Sequence, residues 1–233
     1  MDFPTHIFRA YDIRGLAPGE LDEELITRIG RALGTLAGEA EQQALVVGCD
    51  GRTTSPSIKN TLVKALLDSG RDVIDIGVVP TPLMYYATNT LSTKSGVMIT
   101  GSHNPPEYNG IKITLDGKPF AGENLELLRD KVAEGKFSEG AGRLVKQDVS
   151  EDYIEAVVSD MAIAAPLKIV VDAGNGVAGG VGPQLLEELG CEVIPLYCEI
   201  DGSFPNHHPD PSVDANLADL QEKVREEEAD FGI

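Results

Sequence analysis

Short apolar runs rich in β-branched residues alternate with longer segments of helical periodicity, and this alternation restricts the fold more than any other feature of the sequence. Strand-like runs occupy residues 44–47, 72–79 and 96–100, and apolar residues at helical spacing lie before and between them. Strands joined through helices pair in parallel by right-handed crossovers. We therefore predict an α/β fold: two consecutive α/β domains with mixed, largely parallel sheets flanked by helices.

Local signals mark where several helices begin. Asp22 has the character of an N-cap, with Leu21 and Ile26 placed to form a hydrophobic staple. Ser55-Pro56 and Thr81-Pro82 each open a helix, because proline is pre-set for the first helical position. A returning strand is predicted over residues 111–115 and a helix over residues 123–134.

Length and a change of composition predict two domains. The chain has 233 residues, more than one core of about 100–150 residues needs. Residues 135–142 are rich in Gly, Ser, Glu and Lys, which is typical of a surface connection. We predict domain 1 over residues 1–147 and domain 2 over 148–233. The elements predicted for domain 2 begin with a helix capped by Ser150 and carrying Met161, a strand over 167–171, a Gly-rich turn and a helix ending at Leu189-Gly190. A strand over 192–197, a helix over 216–228 and a strand-like end over 229–233 follow.

Charge and cysteine content exclude some partners. The chain has 38 acidic and 19 basic residues, a net charge of −19, so its surface repels nucleic acid and anionic membranes. No apolar run approaches about 18 residues, and Met1-Asp2-Phe3-Pro4 lacks the features of a secretory signal. Three cysteines, at positions 49, 191 and 198, sit in apolar runs and indicate free thiols in a reducing, cytoplasmic compartment.

The loop that follows residues 96–100 is the strongest candidate for chemistry. Open α/β sheets bind ligands where parallel strands end, and Ser102 lies at such a junction. Gly101 allows a tight turn, and Pro105-Pro106 stiffens the far side, so the hydroxyl would be held outward. Without further context, serine in a Gly/Asn/Pro turn is also ordinary turn chemistry.

Three motifs in order resemble those of the α-D-phosphohexomutases, in particular the bacterial phosphomannomutase/phosphoglucomutase branch. The phosphoserine loop of that family resembles residues 100–106 (TGSHNPP) followed by 108–112 (YNGIK). Its N-terminal signature resembles residues 8–15 (FRAYDIRG), and a second-domain loop resembles residues 204–211 (FPNHHPDP). The likeness covers the whole chain.

The resemblance implies an isomerase that works by phosphoryl transfer. Ser102 would carry the phosphoryl group and interconvert the 1- and 6-phosphates of mannose or glucose, with glucose 1,6-bisphosphate as intermediate and activator. Lys112 would be the general acid/base for the sugar hydroxyl, and His103 would contact the reacting phosphate. Tyr11 and Arg14 would contact substrate or phosphoserine. Phosphorylated hexoses are the implied partners, and a monomer is expected.

The resemblance also implies Mg²⁺, held by a phosphoserine oxygen and three aspartates of an Asp-Gly-Asp-x-Asp-Arg loop. That loop would follow Ile233, so Ser102 is the metal ligand assigned here. Because one ligand is too few to hold Mg²⁺ tightly, we expect residues 1–233 alone, the N-terminal half of such an enzyme, to have little or no turnover.

Other functions remain open at this point. A sugar-phosphate-binding module could keep the loop without the chemistry, and a hydrolase could use Ser102 to release phosphate. Residues 174–179 (GNGVAG) with Glu199 after the next strand match an NAD(P)-binding pattern, although Asp172 would repel a pyrophosphate. Zinc is disfavoured because the spacing of the acidic and histidine residues in one loop fits no standard metal pattern; that set is His207, His208, Asp210 and Asp214. Arg52 is either an attractor of phosphate or a surface residue at a helix start.

Overall fold

The computed structural model of the protein describes residues 3–91 and 93–233. Met1 and Asp2, on which part of the expectation about a secretory signal rests, lie outside the described residues. The chain divides into two compact units. The first unit is formed by two segments, the chain up to Ser102 and Glu107–Asp148. The second unit is formed by His103–Pro106 and Val149–Ile233. The domain limits 1–147 and 148–233 stay a prediction.

The described part of the first unit contains a seven-stranded sheet with the order β1-β5-β4-β2-β3-β7, and β6 pairs with β5 beside this path. β4, β2, β3 and β7 are parallel, whereas β5 runs antiparallel to both β1 and β4. The strands are β1 (Ile13–Leu16), β2 (Ala44–Cys49), β3 (Asp72–Val78), β4 (Gly96–Ile99), β5 (Tyr108–Leu115), β6 (Lys118–Pro119) and β7 (Leu144–Lys146).

Helices cover both faces of this sheet. They are α1 (Glu23–Glu39), α2 (Ser55–Asp68), α3 (Thr81–Thr90) and α4 (Glu123–Glu134). Leu45 and Val47 of β2 share a hydrophobic core with α1, α2 and α4. Val46 is buried as well, and because strand residues alternate between faces it points to the opposite side. There α3 contacts β2 and β4.

Most helices begin where the local signals predicted. Asp22 is the N-cap of α1, and its side chain accepts a hydrogen bond from the Leu25 amide at 2.8 Å. Pro56 and Pro82 lie in the first turns of α2 and α3. The sequence did not predict β1, β6 or β7, each of which has at most four residues. Such short strands exist because a neighbouring strand pairs with them, and no local pattern encodes that partner.

The second unit is a smaller parallel α/β layer. Over its described residues the strand order is β10-β8-β9, and both pairings are parallel. Its elements are α5 (Ser150–Asp160), β8 (Lys168–Asp172), α6 (Gly182–Glu188), β9 (Glu192–Leu196), α7 (Ala218–Glu226) and β10 (Phe231–Gly232). Ser150, predicted as an N-cap, is instead the first residue of α5 after Val149. Residues 214–217, which overlap the start of the last predicted helix, form a 3-10 turn before α7.

Together the two units confirm the predicted fold class: helices flank mixed, largely parallel sheets. Within the described residues, no helix is both long enough and apolar enough to span a lipid bilayer. All three cysteines are free. Cys49 and Cys191 are buried and Cys198 is half-buried. Burial raises the pKa of the Cys49 thiol to about 11, so this residue acts as a small apolar side chain at neutral pH.

The close packing of α1 on α2 gives a first testable prediction. A Cβ added at Gly30 would lie 2.6 Å from the Cβ of Ala65 and 3.1 Å from the Leu62 carbonyl oxygen. Gly30→Ala is therefore expected to lower the free energy of unfolding by about 1–3 kcal/mol, as overpacking does. This loss outweighs the gain of up to about 1 kcal/mol that alanine brings to a helix interior.

Gly38→Ala is the matched control on the same helix. A Cβ there would meet its nearest atoms, on the flexible Arg71 side chain, at 3.5 Å. This variant is expected to be neutral or slightly more stable than the wild type. Urea unfolding of residues 1–233 measures both effects, and a Gly30→Ala variant at least as stable as the wild type would contradict the packing argument.

Candidate active site

Ser102 lies on an exposed turn just beyond the carboxyl end of β4. Its φ is +53°, a left-handed conformation that costs a non-glycine residue about 1 kcal/mol or more. The backbone around it is fixed: the Thr100 amide donates to Gly110 O at 3.0 Å, and the Ser102 amide donates to Thr100 Oγ1 at 2.9 Å. Contacts with the surrounding chain therefore hold the serine in an unfavourable backbone conformation at an exposed point.

Arg14 lies on β1, directly beside this turn. Its partner in the β1–β5 pairing is Gly110, the same residue whose carbonyl binds the Thr100 amide. The Arg14 side chain is 4% exposed, and its Nη1 donates to Thr100 O at 3.1 Å. Arg14 is therefore buried, and its guanidinium is bound to the carbonyl of Thr100, two residues before Ser102.

Lys112 extends from β5, which lies between β1 and β4 and is not an edge strand. Its Nζ is 2.9 Å from Asp12 Oδ2, and the side chain is 29% exposed. The same carboxylate oxygen accepts from Arg14 Nη2 at 2.6 Å. The antiparallel pairing of β1 with β5 thus brings Arg14 and Lys112 to one shared carboxylate.

Asp12 is a residue to which the sequence analysis gave no role, although it lies inside the N-terminal motif. Its position two residues before Arg14 was the available signal, because residues i and i+2 of an extended chain share a face. Burial opposes ionisation, but hydrogen bonds from Lys112 and Arg14 lower the pKa of Asp12 below 3.8. The ion pairs of Asp12 with Arg14 and Lys112 therefore contribute their full stability above pH 3.8. This contribution is lost only as the pH falls through the lowered pKa of Asp12.

Tyr11 and His103 are both exposed to solvent. Tyr11 is 81% exposed in the segment before β1, and His103 follows Ser102 on the exposed turn. Both side chains are accessible to a ligand, but the geometry that links Arg14, Asp12 and Lys112 does not include them.

Arg52 is neither an attractor of phosphate nor a surface residue at a helix start, the two alternatives that the sequence left open. It is 1% exposed and lies beneath the Ser102 turn. Its Nη2 donates to Ser102 O at 2.8 Å and its Nη1 to Tyr108 O at 3.1 Å. Burial lowers the pKa of this guanidinium, an effect that the charge of Asp50 opposes. Arg52 therefore binds protein carbonyls and is not a surface attractor of phosphate.

The charges near Ser102 favour an anion over a metal ion. Arg14 and Lys112 are cationic, and the carboxylate between them is already occupied by both. Mg²⁺ requires a nearly octahedral shell of oxygen ligands. Among residues 3–91 and 93–233, no three His, Cys, Asp or Glu side chains are grouped to hold a metal ion. The described residues alone therefore do not fit Mg²⁺, whereas the cations fit a phosphate group.

Side chains of a neighbouring loop contact the Gly-rich turn of the second unit. A Cβ at Gly174 would lie 3.1 Å from His207 Cε1, and Asn206 Nδ2 donates to Asn175 Oδ1 at 2.7 Å. The loop that carries Asn206 and His207 thus lies directly against this turn, and the carboxylate of Asp172 lines the cavity that remains beside Gly174. This packing disfavours the NAD(P)-binding alternative.

The contact between His207 and Asp172 predicts a pH-dependent stability. His207 Nε2 lies 2.9 Å from Asp172 Oδ2, and Nδ1 lies 3.0 Å from His208 O. Burial opposes protonation, but these hydrogen bonds and the charges of Asp172 and Asp219 outweigh it and raise the pKa of His207 above 6.5. A raised pKa stabilises the fold below the unfolded value, and that contribution is lost as the pH rises through the folded value.

The expected result is a melting temperature for residues 1–233 that falls between about pH 6 and mildly alkaline pH because His207 titrates there. Thermal unfolding followed by circular dichroism measures it. The His207→Gln variant should lose this part of the pH dependence, and His6→Gln, at an exposed histidine of the other unit, should keep it. An unchanged pH profile in His207→Gln would contradict the assignment.

Comparison with known families gives matches over almost the entire chain. Residues 5–139 match the family model described as phosphoglucomutase/phosphomannomutase, alpha/beta/alpha domain I. Residues 151–233 match the model for alpha/beta/alpha domain II of the same family. The two matched segments follow one another in the order that the domain numbers give.

Individual relatives agree with these matches. A phosphomannomutase/phosphoglucomutase of Pseudomonas aeruginosa is 49% identical over 230 residues, which cover 99% of this chain and 50% of the relative. A phosphoglucomutase of Neisseria meningitidis serogroup A is 41% identical, covering 97% of this chain and 50% of the relative. A phosphoglucomutase/phosphomannomutase family structure from Burkholderia thailandensis superimposes with a TM-score of 0.95 at 40% identity, covering 99% of this chain and 52% of that one. The chain spans about half the length of the relatives it matches.

Proposed function

The chain belongs to the phosphoglucomutase/phosphomannomutase family, and on this premise we propose that the protein interconverts the 1- and 6-phosphates of mannose or glucose, with Ser102 carrying the phosphoryl group. The observation that carries the proposal is the held turn of Ser102, a hydroxyl residue at φ +53° beside the buried cation Arg14. Phosphoryl transfer depends on positioning and on neutralising spread negative charge, and this arrangement provides for both.

The proposed reaction has two related transfers. In the first, the bond between phosphorus and Ser102 Oγ breaks and a bond to a hydroxyl oxygen of the hexose monophosphate forms. That hydroxyl loses its proton, and Ser102 Oγ, the leaving oxygen, takes up a proton. The product is a 1,6-bisphosphate, which presents its other phosphoryl group to Ser102 Oγ. In the return transfer the bond between that phosphorus and the sugar oxygen breaks, a bond to Ser102 Oγ forms, the Ser102 hydroxyl loses its proton and the sugar oxygen gains one. A serine nucleophile thus divides one difficult exchange into two easier steps.

Lys112 is proposed to act as a neutral amine that accepts the proton of the sugar hydroxyl in the first transfer, and as an ammonium that returns a proton to the sugar oxygen in the second. Its Nζ is held by Asp12 but is still 29% exposed, so a substrate can reach it. General acid/base catalysis of this kind contributes about 10²- to 10⁴-fold. Arg14, His103 and Tyr11 are proposed to contact the phosphate or the sugar, Arg14 as a buried charge and the other two as accessible side chains.

We propose that the whole protein binds Mg²⁺, and not that residues 1–233 bind it by themselves. Within this chain the ligand we assign to it is an oxygen of phosphorylated Ser102, and the described residues contain no group of three or more His, Cys, Asp or Glu side chains that could hold a metal ion. The chemistry of Mg²⁺, where bound, would be to neutralise the charge of the transferred group. A cytoplasmic, monomeric protein remains the expectation from the sequence.

The proposal is tested on the natural protein that contains residues 1–233. It is incubated with glucose 1-phosphate or mannose 1-phosphate, Mg²⁺ and a trace of glucose 1,6-bisphosphate, and products are followed by ³¹P NMR. Formation of the 6-phosphate is expected. Tight binding without conversion would identify a sugar-phosphate-binding module instead, and stoichiometric release of inorganic phosphate would identify a hydrolase. Either outcome would overturn the proposal.

A further inference from the structure

The buried guanidinium of Arg52 connects the two ends of the loop between β4 and β5. Its Nη2 binds the carbonyl of Ser102, at the start of the loop, at 2.8 Å. Its Nη1 binds the carbonyl of Tyr108, the first residue of β5, at 3.1 Å. Because the guanidinium is planar and rigid, these two hydrogen bonds fix the separation of the loop ends.

Asp50 holds Arg52 and the loop together. It follows β2, which lies next to β4 in the sheet, and its Oδ2 is 3.3 Å from Arg52 Nε. The same oxygen accepts from the Gly101 amide at 3.0 Å. Asp50 Oδ1 accepts from the Arg52 amide at 3.1 Å and from the Ser55 hydroxyl. A carboxylate on the turn after β2 therefore fixes the residue directly before Ser102.

Ser55 and Asn109 extend this network to the far side of the loop. Asn109 Nδ2 donates to Ser55 Oγ at 2.8 Å, and Asn109 Oδ1 accepts from the Gly110 amide at 2.8 Å. Both residues are fully buried. Burying an ion pair costs several kcal/mol unless its remaining hydrogen-bonding groups are satisfied, and here the backbone of the loop satisfies part of that requirement.

The backbone at Gly101 fits closely against Arg52. A Cβ at Gly101 would lie 2.2 Å from Arg52 Nε and 2.3 Å from its Cζ. The guanidinium thus occupies the space that any larger residue before Ser102 would need. With the Ser102 amide on Thr100 Oγ1 and the Ser102 carbonyl on Arg52, the peptide groups on both sides of the Ser102 Cα are constrained, and Ser102 is held at its positive φ.

We propose that Arg52, held by Asp50, is a positioning residue for phosphoryl transfer: it fixes the backbone of Ser102 and thereby the direction of Ser102 Oγ. This inference rests on the proposed function, since it assigns Ser102 as the phosphoryl carrier. Reacting groups must be held within a fraction of an ångström, and a misplacement of about 1 Å costs about a hundredfold in rate. The charge of Arg52 is directed at carbonyls of the protein, so its loss should lower kcat and leave KM nearly unchanged.

The test compares three variants of the natural protein in the mutase assay. Arg52→Lys keeps the charge but cannot bind two carbonyls in one plane, and it is expected to lower kcat by about 10- to 100-fold with KM changed less than about threefold. Ser55→Ala, a milder change in the same network, should lower kcat a few-fold. Arg28→Lys is the matched control, because Arg28 Nη2 also donates to a backbone carbonyl, that of Val132, at 2.7 Å but away from the loop. It should keep the wild-type kcat.

A second measurement separates this inference from the proposed function. Amide hydrogen exchange on residues 1–233 needs no catalysis, and the Gly101 amide should exchange faster in Arg52→Lys and Ser55→Ala than in the wild type. Wild-type protein without mutase activity would overturn the proposed function, and the exchange result would still report on the positioning. The role of Arg52 would be overturned if Arg52→Lys kept the wild-type kcat or changed only KM. It would also be overturned if the Gly101 amide exchanged at the wild-type rate in that variant. If Arg52→Lys does not fold, Ser55→Ala decides on the same two criteria.

Discussion

Replacing Ser102 by alanine is expected to abolish the phosphoenzyme and to lower mutase turnover at least about a thousandfold, because the group that accepts the phosphoryl is then missing. The fold should tolerate the change. Ser102 is exposed, and the contacts that fix its backbone come from its own amide and carbonyl, which alanine keeps. Alanine shares the modest cost of a positive φ with serine, so a small loss of stability at most is expected.

The measurement uses the natural protein that contains this chain, treated with ³²P-labelled glucose 1,6-bisphosphate and digested to locate the label. Ser57→Ala is the matched control, since Ser57 is an exposed serine in the first turn of α2 whose hydroxyl donates only to a local carbonyl, that of Thr54. Label on Ser102 in the wild type and in Ser57→Ala, with none in Ser102→Ala, is the expected pattern. A label that persists in Ser102→Ala would show that another residue carries the phosphoryl group.

Replacing Lys112 by methionine is expected to lower kcat by about 10²- to 10⁴-fold, the usual contribution of a general acid/base. Methionine keeps much of the length of the side chain and removes the ammonium that Asp12 Oδ2 holds at 2.9 Å. Asp12 retains the hydrogen bond from Arg14 at 2.6 Å, so its carboxylate is not left without a partner and the strand pairing of β1 with β5 should persist.

Lys118→Met is the control for this substitution. Lys118 is exposed on β6, six residues further along the same antiparallel segment, and its loss should leave kcat within about twofold of the wild type. Steady-state kinetics of both variants, with thermal unfolding to confirm that they are folded, decides the matter. A Lys112→Met variant that retains more than about a tenth of the wild-type kcat would contradict the proton-transfer role.

The sequence was most informative where structure depends on neighbours along the chain. Asp22 caps α1 because a short acceptor side chain can reach an amide three residues ahead, which is a local geometry. Pro56 and Pro82 mark helix starts because the proline ring fixes φ at the helical value. The position of Ser102 at the carboxyl end of β4 followed in the same way from a strand-like run that ends in a turn.

The sequence was silent where structure depends on segments that meet only in the folded chain. The pairing of β1 with β5 joins Asp12 to Lys112 across 100 positions, and no periodicity near either residue indicates that contact. Arg52 shows the same limit: a polar turn after β2 predicted exposure, yet the adjacent strand β4 places its loop above the guanidinium and buries it.

Taken by itself, the sequence determined the fold class, the family resemblance and the residues that carry the motifs, including the serine at the centre of the proposal. The tertiary structure alone decided how those residues are held: an aspartate shared by Arg14 and Lys112, and a buried Arg52 that fixes the backbone of Ser102. The physical reason is that helix starts and strand ends follow from short-range sterics and hydrogen bonds. Burial and charge pairing instead depend on which distant strands lie side by side in the sheet.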